Sequence, residues 1–281
     1  MNKRKVCALG MAFVLAGCSA GGSGSGKEQT LTVGLFTEMN GDFSPMYYQT
    51  VNDHNVVNLV YQGLLAYDKD ANLVPELAED LPTISDDGTT MTFKLKKGVK
   101  FSDGSKFTSK DVIFTYEQII NPKVFNSIKS NFQEVQSVKA LDDYTIEVIY
   151  KKPYFKAIET WMVGILPYHL LKDDKDLMTS SFNKNPIGTG SYKLKEFKQG
   201  QDIELIANED YFEGKPKIEK ILYQFLPDPN TSFLYLKQRK LDLGGLTPIQ
   251  VDRQLDDNFT NNYTIMQKPS FSYSYLGFNL K

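Results

Sequence analysis

The sequence predicts an α/β protein of about two domains, and three observations carry that expectation. Short runs alternate in hydropathy with period two, at Leu31–Leu35, Met91–Leu95 and Ile146–Tyr150. Longer stretches place apolar residues three and four apart, at Val56–Leu65 and Val112–Ile120, as an amphipathic helix requires. The chain has 281 residues, and the roughly 264 that follow the first 17 suffice for about two domains and a sizeable core.

Leu31, Val33 and Leu35 open the chain's first strand, and Thr37–Pro45 follows as a loop containing Gly and Pro. Val56, Val57, Val60, Tyr61, Leu64 and Leu65 mark one helix face. Asp68–Asn72 reads as a turn between Leu64-Leu65 and Leu73-Val74. Asp86-Asp87-Gly88 is a second turn, since Gly takes φ > 0 freely and Asp tolerates turn geometry. Met91, Phe93 and Leu95 then alternate with polar residues as a half-buried strand. Gly98 and Ser102-Asp103-Gly104 fold the chain back around Val99 and Phe101. Thr108 with Asp111 approximates a capping box, and Val112, Ile113, Tyr116, Ile119 and Ile120 form the apolar face of the helix it starts. Ile146, Val148 and Tyr150 line one side of a later strand. Tyr192, Leu194 and Phe197 line one side of a hairpin turned at Gln199-Gly200, which Ile203, Leu205 and Ala207 continue. Tyr223 and Phe225 give a further strand. Pro229-Asn230-Thr231 precedes a helix carrying Phe233, Leu234 and Leu236, and Leu241–Gly245 reads as the turn after it.

The first 17 residues have the form of a secretory leader. Lys3, Arg4 and Lys5 precede an apolar run from Val6 to Leu15, too short to span a bilayer as a finished helix. The run ends Leu15-Ala16-Gly17-Cys18, which resembles a bacterial lipobox. That resemblance implies cleavage before Cys18 and a lipid chain (palmitate or a similar acyl group) on its thiol. Residues 18–29, rich in Gly and Ser, then form a flexible tether. Cys7 leaves with the leader, so no disulfide and no cysteine zinc site is expected.

Composition narrows the function classes. Lys and Arg number 32 against 34 acidic residues, and loss of the leader's three cations leaves 29, a net charge of −5. With no basic cluster there is no electrostatic basis for binding nucleic acid, and membrane attachment has to come from acyl chains. Gly21, Gly26 and Lys27 have phosphate-loop spacing, but Glu28 stands where the Mg²⁺-binding hydroxyl belongs. Asp68, Asp70, Asn72 and Glu79 have calcium-loop spacing, but Leu73 occupies the obligatory Gly position. His54 and His169 each have a plain structural role available, and neither a G-x-S-x-G elbow nor an H-E-x-x-H helix is present. The expectation is a binding protein with no cofactor, no metal of its own and no catalytic residues.

The stretch Leu77–Ile120 joins the Asp-Gly turn, the K-x-G-V-K-F-S-D-G turn and the T-x-x-D-V helix start in one order. It resembles the signature region of the family 5 extracellular solute-binding proteins, the peptide and nickel receptors of ABC importers. Pro186–Ile221 also resembles the family, through Gly188-Thr189-Gly190-x-Tyr192 and Asn208-x-x-Tyr211-x-x-Gly214-Lys215-Pro216. The resemblance implies a periplasmic-binding-protein-like fold (type II, cluster C). Its base lobe of mixed sheet is built from 30–67 and 186–281, and an α+β domain is inserted at 68–185. Tyr275–Asn279 resembles the strand leading into the family's second large lobe, so that lobe is expected to be missing. Apolar surface around Tyr273, Tyr275, Leu276 and Phe278 is then left uncovered.

For function, the resemblance implies a lipid-anchored receptor on the extracytoplasmic face. It would capture peptides in extended form and deliver them to the ABC permease subunits. Glu38, Met39 and Asn40 are expected at the cleft edge, Trp161 and Met162 as cleft lining, and Tyr273 and Tyr275 on the strand toward the second lobe. Two alternatives share the fold: a receptor for nickel or a metal chelate, and a shortened surface adhesion or signalling module without transport. A one-lobed receptor is expected to bind peptide more weakly than one that closes two lobes over it.

Overall fold

The structure is a computed structural model that describes residues 12–16, 29–37 and 39–267. In chain order its strands are β1 (Ala12–Ala16), β2 (Thr30–Leu35), β3 (Leu65–Tyr67), β4 (Leu73–Pro75), β5 (Thr83–Ile84), β6 (Thr90–Lys94), β7 (Val135–Asp142), β8 (Thr145–Tyr150), β9 (Tyr192–Lys198), β10 (Asp202–Ala207), β11 (Lys220–Phe225), β12 (Leu243–Leu246) and β13 (Tyr263–Met266). The helices are α1 (Val51–Val60), α2 (Ser109–Ile120), α3 (Tyr168–Leu171), α4 (Pro229–Lys237), α5 (Pro248–Arg253) and α6 (Asp257–Thr260). No helix among the described residues is long and apolar enough to cross a membrane.

By packing, the chain divides into two compact units. Unit 1 comprises 1–38, 200–203 and 220–281, and unit 2 comprises 39–199 and 204–219. These limits differ from the sequence-based boundaries at 67/68 and 185/186. One local reason lies in the two glycines of the G-T-G segment. A Cβ on Gly188 would stand 2.0 Å from the Val60 carbonyl oxygen, and one on Gly190 would stand 2.3 Å from that of Leu59. Gly190 N–H also donates to Val60 O at 2.8 Å, so this segment is built onto the end of α1 and shares its unit.

Unit 1 carries a mixed sheet in the order β13-β1-β12-β2-β11. β2 pairs in parallel with β11, Val33 facing Tyr223, and in parallel with β12. The Asp242 carboxylate accepts the Thr32 N–H at 2.8 Å, which holds the start of β12 against β2. Leu241–Gly245, expected as a turn, instead supplies β12 from Leu243 onward, and Gly244 and Gly245 lie buried within the sheet. The Gly pair hid this strand, because strands rarely carry adjacent glycines unless backbone or helix approaches closely. A Cβ on Gly244 would indeed meet Leu236 Cδ1 at 3.1 Å. Leu226, Phe233, Leu236, Leu241, Leu246, Phe259 and Tyr263 form the core of this unit. Asp228 caps α4 by accepting the Asn230 and Thr231 N–H groups. Residues 12–16, within the stretch read as a leader, form β1 in this sheet.

Unit 2 carries an antiparallel sheet in the order β5-β6-β8-β7. The alternation read in the sequence is realised here: Met91, Phe93, Ile146, Val148 and Tyr150 are all buried. The turn before β6 has Gly88 at φ +69°, with Asp87 Oδ1 accepting from Ser85 Oγ and Thr89 N. The α2 capping box forms as expected, Thr108 N–H donating to Asp111 Oδ2 at 2.8 Å. The apolar face of α2 differs from the expected one. Val112, Tyr116 and Ile119 are buried, but Ile120 is 37% exposed and Ile113 half-buried, whereas Phe114 and Thr115 are enclosed. The cause is a second layer that sequence spacing does not reveal. Tyr168 stacks edge-on against Phe114 at 5.6 Å, and Leu166 N–H donates to Thr115 Oγ1 at 2.9 Å.

Candidate functional site

The loop after β2 is the best-built candidate, and Asp53 builds it. Thr50 caps α1, accepting the Asp53 N–H at 3.0 Å and donating its hydroxyl to Asp53 Oδ2 at 2.7 Å. The same carboxylate, fully buried, accepts the Asn40 N–H at 3.3 Å and the Gly41 N–H at 3.0 Å. One aspartate therefore starts the helix and pins the loop. Gly41 sits at φ +73°, where a Cβ would run into the Phe197 ring, and Phe43 packs edge-on against that ring at 5.3 Å. Lys184 closes the other side, donating to Asn40 O at 3.2 Å and to Asp42 Oδ1 at 2.9 Å.

Beside this loop lies an open groove of about 340 Å³, lined by Asn40, Lys184, Asn185, Leu194, Phe197 and Gln199 among others. Its amides, the side chains of Lys184, Lys195 and Glu196, and a single aromatic edge suit hydrogen bonding to an extended polar chain rather than burial of a large apolar ligand. Asn40 is exposed and keeps its side chain directed by a 3.2 Å hydrogen bond from Nδ2 to Gln49 Oε1.

The other expected site residues fall elsewhere. Met39 adjoins Asn40 in sequence but is buried. Trp161, expected as cleft lining, is 1% exposed and forms the middle of an aromatic core with Phe93, Tyr116 and Phe132. Its indole N–H donates to Tyr150 Oη at 3.0 Å, so both its ring and its polar edge are engaged inside unit 2 and present no surface to a ligand. Met162 is half-buried, and its backbone packs against Gly63, where a Cβ would come within 2.6 Å. Cys18, Glu38, Tyr273 and Tyr275 lie outside the described residues. Asp53, Gln49 and Lys184 were not singled out from the sequence. A signal for Asp53 was present, since Thr50-Val51-Asn52-Asp53 has the same T-x-x-D spacing as Thr108–Asp111.

A second polar cluster in unit 2 runs from buried Gln62 out to exposed Glu213. Gln62 Nε2 donates to Glu76 Oε1 at 3.1 Å and to Tyr211 Oη at 2.8 Å, and Gly63 N–H donates to Glu76 Oε2 at 3.0 Å. Tyr211 in turn donates to Glu213 at 3.0 Å, and Lys96 lies 3.6 Å from Glu213. Burial pushes the Glu76 carboxyl up to about 7, against the opposing pull of its hydrogen bonds. Tyr211 is the tyrosine of the N-x-x-Y segment, and here it ties that segment to the end of α1.

The histidines have local partners. His54 stacks on Tyr48 at 4.5 Å, and burial lowers its pKa. His169 lies 2.7 Å from Asp103, joining α3 to the Ser-Asp-Gly turn. No cluster of three His, Cys, Asp or Glu side chains suited to a metal ion occurs among the described residues.

Comparison with known proteins sets this geometry in a family. Residues 72–281 match the sequence profile described as bacterial extracellular solute-binding proteins, family 5 Middle. The chain is 34% identical to the oligopeptide-binding protein AppA of Bacillus subtilis over 96% of its own length and 52% of that protein's. It is 29% identical to the nickel-binding periplasmic protein of Escherichia coli over 78% of its length and 42% of the other's. Among solved structures, NikZ from Campylobacter jejuni in complex with Ni(L-His) superposes with a TM-score of 0.76 at 34% identity, covering 82% of this chain and 46% of NikZ. AppA from B. subtilis in complex with a nonapeptide superposes with a TM-score of 0.74 at 32% identity, covering 79% and 45%. The chain spans about half the length of the curated relatives it matches. With its signature turn, capped helix and G-T-G segment all in place, and a profile match across most of its length, the chain belongs to the family 5 bacterial extracellular solute-binding proteins.

Proposed function

We propose that this chain serves as the solute-capturing component of an ABC importer, takes peptides in extended form, and is anchored through lipid on Cys18 to the extracytoplasmic face of a membrane. The observation that carries the peptide reading is the 34% identity to an oligopeptide-binding protein across 96% of this chain. The 39–43 loop supports it physically. A rigid edge of backbone and amide groups held by Asp53 and Lys184 suits main-chain recognition, which is tolerant of side-chain sequence. The role is binding and delivery to permease subunits, without turnover of the ligand. The division into a base lobe (30–67 and 186–281) and an inserted domain (68–185) belongs to the same reading.

Native mass spectrometry of protein purified from its own cells tests the ligand, and the expected result is a set of co-purifying peptides. Calorimetry with a mixed peptide library should show one-to-one binding that weakens severalfold in Asn40→Ala. Unchanged affinity removes the loop from the site. Feeding cells a fatty-acid analogue tests the anchor: label on the wild type and none on Cys18→Ala is expected, and an unlabelled wild type removes it.

A second reading has one observation in its favour, the superposition on NikZ bound to Ni(L-His). Nickel with histidine, added to the same calorimetry, distinguishes the two. Tight binding of the chelate with no response to peptides would replace the peptide reading.

A further inference from the structure

Asn40 and Gly41 form the only Asn-Gly pair in the chain, and such a pair carries its own chemistry. Once hydroxide removes its proton, the Gly41 nitrogen can attack the side-chain carbonyl carbon of Asn40, because glycine has no Cβ to obstruct the approach. A bond forms from Gly41 N to Asn40 Cγ, the Cγ–Nδ2 bond breaks, and the side-chain nitrogen leaves as ammonia. Water then opens the cyclic imide, at Cγ to give aspartate or at the main-chain carbonyl carbon to give isoaspartate. In sum, one amide and one water become one acid and one ammonia, with no other reactant. The Asn40 side chain is exposed, so water and hydroxide reach it.

The folded loop opposes each step. Gly41 N–H donates to Asp53 Oδ1 at 3.0 Å, and Asn40 O accepts from Lys184 Nζ at 3.2 Å, so the peptide plane that carries the nucleophile is held from both sides. Removing the Gly41 proton would set a second anion beside a carboxylate that is fully buried, and two like charges at that distance repel strongly. Asp53 is itself too weak a base to take an amide proton. Lys184 pulls the other way, since a cation on Asn40 O eases loss of that proton, but its ammonium is shared with Asp42 Oδ1 at 2.9 Å. The leaving amide is also held, Asn40 Nδ2 donating to Gln49 Oε1 at 3.2 Å. We propose that Asn40 is a latent site of covalent modification, converted to aspartate or isoaspartate by Gly41 whenever the loop leaves Asp53, and that Asp53 is the guard that keeps it an amide. The conversion is one-way. Aspartate at this position has no donor for Gln49 Oε1, and isoaspartate lengthens the backbone between the two N–H groups that meet Asp53, so neither product rebuilds the groove edge. The inference concerns the loop itself and holds whichever ligand the groove takes.

The full chain, folded in buffer and unfolded in urea at the same mildly alkaline pH, tests this. The segment containing Asn40 is followed by mass spectrometry for the mass gain of amide-to-acid conversion and for the separate isoaspartate form. Asp87-Gly88 and Asp103-Gly104 can close the same ring, but without a change of mass. Conversion at Asn40 should be about tenfold slower, or more, in the folded chain. Amide exchange of Gly41 N–H removes the same proton by the same hydroxide, so its protection should match the slowing to within about threefold. Asp53→Ala should lose most of the slowing and the Gly41 protection together. Asp53→Asn, which keeps an acceptor oxygen without the charge, should fall between. Three results overturn the proposal. One is conversion in the folded chain as fast as in the unfolded one. Another is conversion faster than Gly41 exchange allows, which would mean that Lys184 activates the pair in place. The third is slowing retained in Asp53→Ala although Gly41 exchanges freely. Should Asp53→Ala fail to fold, the wild-type match between conversion and exchange decides together with Asp53→Asn.

Discussion

The sheet of unit 2 is assembled from one continuous stretch, residues 83–150, with every pairing antiparallel. The sheet of unit 1 gathers strands from 12–16, 30–35 and 220–266, and mixes parallel with antiparallel pairs. The two sheets differ in their dependence on the rest of the chain. The strands of the unit 2 sheet are near in sequence and close over an aromatic core of Phe93, Tyr116, Phe132 and Trp161. Unit 1 needs remote segments to meet before any of its ladder forms, so loop-closure entropy opposes it until several strands are in place. The lesson is that one sheet is assembled locally, whereas the other depends on which remote segments meet.

The sharpest way to break this contrast is at Trp161. Trp161→Ala should cost about 3–5 kcal/mol, because it removes the largest fully buried side chain of unit 2 and takes the indole N–H donor away from the Tyr150 hydroxyl. Amide exchange resolved by residue should show the loss in β6 and β8 while β2 and β11 keep their protection. Equal loss in both units would mean that they unfold as one.

The next effect is a pH dependence confined to unit 2. Glu76 titrates at about 7 in the folded chain against an ordinary value of 4.5, so the folded state binds the extra proton between these values. Its contribution to stability is fully present below about 4.5 and is lost as pH rises through about 7, a span on the order of 3 kcal/mol. Urea midpoints followed from pH 5 to 8.5 should fall in the wild type and flatten in Glu76→Gln. A wild-type midpoint that rises over this window contradicts the assignment.

Asp53→Ala tests the loop. Removing the carboxylate leaves the Thr50 cap on the Asp53 backbone N–H but takes the acceptor from the Asn40 and Gly41 amides and the Thr50 hydroxyl, which should cost about 1–3 kcal/mol, and faster exchange is expected at the Asn40 and Gly41 amides. If those amides stay as protected as in the wild type, Asp53 does not hold the site edge. The smallest effect is expected in unit 1 from Tyr263→Phe. The hydroxyl lies 2.9 Å from Leu236 O and 2.7 Å from Leu241 O, and its removal should cost about 1 kcal/mol. Thermal unfolding of the two variants side by side ranks them.

Much of the local structure was legible in the sequence, because it follows from interactions a few residues apart. Thr108–Asp111 announced a capped helix, Asp86–Gly88 a turn, and the alternation at Met91–Leu95 and Ile146–Tyr150 two strands with one buried face each. The family was legible as well, since its signature turns and glycines are contiguous. What the sequence left open were roles set by partners far along the chain. Asp53 looks like any helix cap until Asn40 and Gly41 are brought to its carboxylate, and Leu243–Leu246 looks like a turn until β2 pairs with it. Trp161 could not be assigned to core or cleft from its neighbours in sequence; Phe93, Tyr116, Phe132 and Tyr150 decided it by enclosing the ring and accepting its N–H. Short-range hydrogen bonds and periodicity are written residue by residue, and the sequence by itself determined these. Burial and strand order depend on which distant surfaces meet, and only the tertiary structure decided those.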